Sequence, residues 1–315
     1  MKNKKTAIAT PLLVSVILFL IPISEKLLQL TVERDSNIIL SASAVQLFIF
    51  AVPVAFYCKI RGLDFFERAR VKPLPLSNIP FVIASAFTYL FTAIIILYIE
   101  FNFLSFNAES VLVPEASSPD GLGLALAYVI VPAIAEEFFF RSIIISDYSE
   151  YNGVIAITVS ALFFAMLHFS FVQFPLYFLL GIILAMMTYV TGSSFPAMVV
   201  HLINNGATVF FGSSISAFLK ESSSSVILAF ILVVAFMASI ASMLSTMENI
   251  YEKRSILYQA GELPGSRRDA VGNMARAGRV EAKEEKTVLR KAGIFLSPTF
   301  LLTVFLFILI TFDII

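Results

Sequence analysis

Long apolar runs alternate along this chain with short polar punctuation. Each run can be read between its bounding charges, prolines, glycines and serines. This gives about nine candidate spans, at roughly 6–23, 38–58, 79–99, 122–145, 153–173, 174–191, 194–212, 225–247 and 292–312. Most reach the roughly 18 apolar residues that cross a hydrocarbon core as a helix. The pattern predicts an all-α, polytopic transmembrane bundle of about eight or nine helices. The divisions between 153 and 212 are the thinnest, marked only by Phe174-Pro175 and by Gly192-Ser193-Ser194. Pro196 suits the first turn of a new helix, where its missing N–H costs nothing. Three regions follow: N-terminal spans and loops over 1–121, a central group over 122–212, and C-terminal spans over 213–315 that enclose a polar stretch at 248–291.

Composition supports a membrane protein. Of 315 residues 58% are hydrophobic and 14% charged, with a mean hydropathy of +0.89, against about 25% charged in soluble domains. The formal net charge is zero, and no basic face exists of the kind nucleic-acid binding needs. The single Cys58 precludes an intramolecular disulfide and a cysteine metal cluster, and reads as a plain structural cysteine. The basic start before the first run resembles a signal peptide. That run is long for one, however, and no small-x-small site follows it, so a retained first helix is expected.

Charge then sets an orientation. Lys2, Lys4 and Lys5 precede the first span, and Lys59, Arg61, Arg68, Arg70 and Lys72 follow the second. Ten more basic residues lie between Lys253 and Lys291, leaving only four of the 22 elsewhere. With nine spans and a cytoplasmic N-terminus, all three clusters fall on the cytoplasmic side. The segment 100–121, with Glu100, Glu109, Glu115 and Asp120 and no Lys or Arg, falls outside. The expected location is a plasma membrane. The 248–291 stretch reads as a solvated cytoplasmic loop with a short helix near 280–291.

An ionisable side chain near mid-membrane costs about 2.5–3.5 kcal/mol on insertion scales, which makes such residues functional candidates. Here they gather in one third of the chain. The fourth span holds Glu136, Glu137 and Arg141, the fifth Phe164 and His168, and the seventh His201, Asn204 and Asn205. These two histidines are the chain's whole complement. Glu137 and Arg141 are four apart and can pair on one helix face. Glu136, about 100° round the helix, has no partner at i+4 and is left available as a base. Pro132, one turn earlier, removes a backbone hydrogen bond and is expected to kink the helix so that the Glu pair faces a polar cavity. His201 with Asn205, and Phe164 with His168, repeat the four-residue spacing, the ring forming a wall behind the imidazole. Asn204 is expected to point elsewhere. No GxSxG elbow or HExxH motif is present.

The ordered set Glu136-Glu137…Arg141, Phe164…His168 and His201…Asn205 resembles the CPBP family, the membrane proteins that include the CAAX prenyl endopeptidases and bacterial Abi-type proteins. The resemblance covers roughly residues 122–212 and implies an intramembrane endopeptidase acting on a membrane-embedded or membrane-associated peptide. By motif position Glu136 activates water, His168 helps to hold it, and His201 and Asn205 stabilise the oxyanion; Glu137 and Arg141 support Glu136. The family is also described as metalloproteases, and Glu136, His168 and His201 could instead ligate zinc. The metal-free version is favoured here, because no second carboxylate base is evident once Glu136 becomes a ligand. Two readings of other classes compete with a protease. A proton-coupled carrier would also place Glu, His and Arg inside spans, though no inverted repeat is present. The other is a non-enzymatic scaffold or immunity protein.

Overall fold

The computed structural model describes residues 2–31, 37–64, 71–103, 121–149, 151–222, 225–260 and 293–312. The main helices among them are α1 (Lys2–Thr31), α2 (Asn37–Arg61), α3 (Ile79–Phe103), α4 (Gly121–Tyr148), α5 (Gly153–Met166), α6 (Phe174–Thr191), α7 (Phe195–Glu221), α8 (Val226–Ala260) and α9 (Pro298–Thr311). Six of these, α2, α3, α4, α6, α7 and α8, are long and apolar enough to cross a membrane; the apolar parts of α1, α5 and α9 are shorter. The protein is thus a polytopic helical membrane bundle, and large apolar side chains such as Phe48, Phe56, Phe87, Phe211 and Phe230 cover its outside. In water so much exposed apolar surface would be a liability; in lipid it is the expected exterior.

Several boundaries differ from the sequence reading, α1 running on to Thr31 and α9 starting only at Pro298. The fifth span was expected to run to 173, but α5 ends at Met166, so His168 lies in a turn rather than on a helix. Helix α7 continues unbroken to Glu221, nine residues beyond the expected 212. Helix α8 runs to Ala260, well into the stretch read as a loop from 248. Both extensions carry polar residues onward in helical register, which a filter based on apolar runs cuts off. The helix expected near 280–291 lies outside the described residues.

Two apolar cores organise the bundle. The first joins α1, α2, α4, α5 and α9 around Ile17, Phe50, Phe139, Phe140, Phe163 and Phe300. The second joins α3, α6, α7 and α8 around Phe81, Tyr89, Leu180, Leu184 and Met243. Polar bonds fix the outer members of the first core. Thr303 on α9 bonds Ser15 at 2.9 Å and donates to the Pro11 carbonyl at 3.0 Å, holding α9 to α1. At one end, the hydroxyls of Thr10 on α1 (2.9 Å) and Tyr57 on α2 both donate to Asp147 on α4, and Arg61 donates to Tyr57 at 3.2 Å. The Lys72 backbone bonds Ser193 in the α6–α7 turn, and Gly192 closes α6 there in the left-handed conformation (φ 74°) that glycine tolerates.

Helix α5 is the innermost element. Its 14 residues span about 21 Å, short of a hydrocarbon core of about 30 Å, and Ala156, Val159, Ala161, Phe163, Phe164 and Ala165 are all buried. Asn152 caps its start by accepting the Ile155 N–H at 2.7 Å. Small residues bring α5 and α6 together: a Cβ at Gly181 would stand 3.0 Å from the Ala161 Cα and 3.2 Å from the Phe164 ring. Gly181→Val is therefore expected to destabilise the bundle by about 1–3 kcal/mol. Thermal unfolding in detergent measures this, and an unchanged midpoint would refute so close a packing.

Candidate active site

The polar residues meet where the two cores adjoin. Helix α4 is not a uniform α-helix: wide π-helical turns at Ala125–Ile130 and Phe138–Ile144 flank the α-helical segment Val131–Glu137. Such turns re-aim side chains and are frequent at functional sites. Pro132 opens the segment between them and lacks the N–H a regular ladder would use. The two glutamates consequently diverge. Only Glu136 lines a cavity, at 8% exposure, and its Oε2 has no hydrogen-bond partner. Glu137 is fully buried behind it, so the expectation that both face the cavity holds for one.

Glu137 is the organising anion. Its Oε2 pairs with the Arg141 Nε at 3.0 Å, one helical turn along, and its Oε1 accepts from the His201 Nδ1 at 2.9 Å, across from α7. The carboxylate therefore holds His201, whereas the family resemblance had implied that it supports Glu136. Arg141 is fully enclosed. Its guanidinium carbon lies 4.6 Å from the centre of the Phe164 ring and 5.7 Å from that of Phe140, a cation–π setting that partly offsets lost hydration.

Phe164 is the hub. Its ring meets His168 edge-on at 5.0 Å, His201 at 5.7 Å and Phe140 at 5.4 Å. Its backbone carbonyl accepts from the His168 Nδ1 at 3.0 Å. A carbonyl cannot donate, so Nδ1 carries the hydrogen and the neutral ring presents a lone pair at Nε2. On its other side His168 stacks on Tyr177, 3.4 Å between centroids and 16° between planes. Phe169, the next residue, has φ 46°, a conformation costly for a bulky side chain and typical of positions held by their surroundings.

Glu136, Phe164, His168, His201 and Asn205 all line one cavity of about 170 Å³. Glu136 and His168 also line a second, of about 480 Å³, bounded by α1, α2 and α4 with Gln46 and Tyr128 in its wall. Two aromatic residues of the smaller cavity were not picked out from sequence. Tyr89 and Tyr177 carry phenols that cost little in an apolar run, so they do not stand out. Asn204 lines the cavity beside Asn205, contrary to the expectation that it points elsewhere: positions i+3 and i+4 from His201 straddle the same helix face. Both histidines give Nδ1 to protein acceptors, which leaves Nε2 as the nitrogen available to any further partner, and among the described residues no three His, Cys, Asp or Glu side chains form a set that could hold a metal ion.

Residues 118–207, which contain every one of these motif positions, match the family model described as Rce1-like, type II CAAX prenyl endopeptidase Rce1-like. The membrane-embedded CAAX protease MroQ of Staphylococcus aureus (strain USA300) is 32% identical over 89 residues, a match covering 26% of this chain and 36% of that protein. The likeness thus spans about a third of the relative's length. No solved structure matches the chain. The matched stretch begins just before α4 and ends within α7, so the similarity and the polar cluster coincide.

The Glu137 arrangement makes a direct prediction. Glu137→Gln leaves Arg141 charged and enclosed and should cost about 3–5 kcal/mol; adding Arg141→Met should restore most of it. Unfolding midpoints of the two variants test this, and a Glu137→Gln protein as stable as the parent would argue against a charged pair.

Proposed function

We propose that this protein is a membrane-embedded endopeptidase whose water nucleophile is activated by Glu136. The observation carrying the proposal is the convergence of Glu136, with a free buried oxygen, and His168, His201 and Asn205 on one cavity enclosed by helices. The Rce1-like match supports the reaction class. Water between Glu136 and the Nε2 lone pair of His168 gives up a proton to the carboxylate as its oxygen attacks the peptide carbonyl. The carbonyl oxygen becomes an oxyanion facing His201 and Asn205. With Nδ1–H given to Glu137, His201 offers a second donor, Nε2–H, in its imidazolium form, and Glu137 is then its counter-ion. The Asn205 amide adds another donor. Collapse of the tetrahedral intermediate expels the amine, which takes the proton held by Glu136. A protonless carboxylate and two new peptide ends remain, so the cycle closes. Donors fixed before charge develops are commonly the largest contribution in such reactions.

The relative is named a CAAX protease, which makes membrane-tethered protein C-termini the first substrates to try here. The clustering of basic residues at sequence level supports placing the Arg61 and Lys72 end of the bundle at the cytoplasmic face.

The test is cleavage of a membrane peptide library by purified protein beside its Glu136→Gln variant. Glu136→Gln, His168→Ala and His201→Ala should each lower kcat/KM by about 10²–10⁴, and Asn205→Ala by about 10², leaving measurable residual cleavage. A Glu136→Gln protein that still cuts would sink the assignment.

A further inference from the structure

Four carboxylates are strongly buried among the described residues: Glu100, Glu136, Glu137 and Asp147. Glu136 and Glu137 belong to the site, and Asp147 accepts from Thr10 and Tyr57. Glu100 has no such explanation. It is 2% exposed near the end of α3, and neither of its oxygens has a hydrogen-bond partner. Leaving a carboxylate enclosed with nothing to bind is costly, so a ligand for it is sought.

Its position points to the cavity. Tyr89, Ala93 and Leu97 on α3 line the chamber that holds Glu136 and His201. Glu100 is eleven residues beyond Tyr89, close to three full helical turns, so it projects within about 20° of the same direction. It therefore extends the line of Tyr89, Ala93 and Leu97 along the helix, about 16 Å beyond Tyr89 and one turn past Leu97, the last α3 residue to line the chamber. It is also within electrostatic reach of Tyr177, in the chamber's opposite wall. The chain supplies no counter-ion nearby in sequence: no Lys or Arg occurs between Lys72 and Arg141, and Glu109, Glu115 and Asp120 follow. Lys220, at the end of neighbouring α7, is exposed and makes no ion pair with Glu100. An unpartnered carboxyl, one segment with acidic charge alone, and a chamber whose α3 lining ends one turn away together favour a cation.

We propose that Glu100 is a specificity residue that recognises a lysine or arginine side chain of the peptide substrate. The inference rests on the endopeptidase reading. An extended peptide advances about 3.3 Å per residue, so the rise from Tyr89 to Glu100 corresponds to about five residues, which makes positions about that far from the cut the first to test.

A set of otherwise neutral membrane peptides, each with one lysine at a different position and matched by a glutamine peptide, tests this. Nanodiscs of phosphatidylglycerol are used, because that headgroup carries no cation to compete. The expected lysine-to-glutamine ratio of kcat/KM is about 10 or more near five residues from the cut. It should fall to about 1 in Glu100→Gln, and Glu100→Lys should turn the preference toward glutamate peptides. A ratio near 1 at every position, or an equal fall for both peptides in Glu100→Gln, would overturn the proposal. Binding of the same labelled peptides to Glu136→Gln, with and without Glu100→Gln, separates the two readings. Lysine-dependent binding without any cleavage by the parent keeps the Glu100 inference and removes the protease. Cleavage without lysine dependence does the reverse, and neither overturns both.

Discussion

A carboxylate sealed inside an apolar bundle dictates much of what surrounds it. Glu137 has no exposure, and it survives there because Arg141 and His201 reach it from two helices. Once that anion is in place, other features acquire a reason. Arg141 needs a covering for its delocalised charge, which the Phe164 and Phe140 rings provide. Phe164 must then hold its place, which the close approach of Gly181 secures. Helix α7 must bring His201 within 2.9 Å, which draws the second apolar core against the first. The enclosed anion thus ties the two cores together beside the α5–α6 packing, and the catalytic candidates ride on that tie.

Much of the fold was legible because the bilayer imposes a simple rule on the chain. With no water to satisfy backbone groups, spans must be helical and apolar, and nine such runs correspond to α1 through α9. Errors arose where the rule lapses. The end of α7 and the last turns of α8 carry polar residues but remain helical, so hydropathy undercounts them. The end of α5 fails in the opposite sense: Leu167 to Phe171 are apolar enough for a helix, yet His168 and Phe169 turn away, His168 being held by the Phe164 carbonyl and the Tyr177 ring, ties that hydropathy does not record.

The candidate site was legible to the extent that burying charge is expensive. Glu136, Glu137, Arg141, His168 and His201 stand out for that reason alone, and the structure brings them together with Asn205. Which glutamate faces the cavity did not follow, because that depends on π-helical turns whose extra residue per turn leaves no signature in the pattern. Nor did the partner of His201: spacing within one helix favours Glu137 with Arg141, and cannot report a third residue arriving from α7. Tyr89 and Tyr177 were hidden by their mildness, being nearly as acceptable in an apolar wall as phenylalanine.

Glu136 and His168 wall two chambers at once, the smaller between α3, α6 and α7 and the larger between α1, α2 and α4. A residue pair that forms part of a partition is approachable from both sides. In the proposed hydrolysis, a chain threaded into one chamber would leave the other free for the traffic of small molecules, so the two reactants would not need a shared doorway. Sequestration from lipid and supply of water, which usually oppose each other inside a membrane, would then be separate duties of separate rooms.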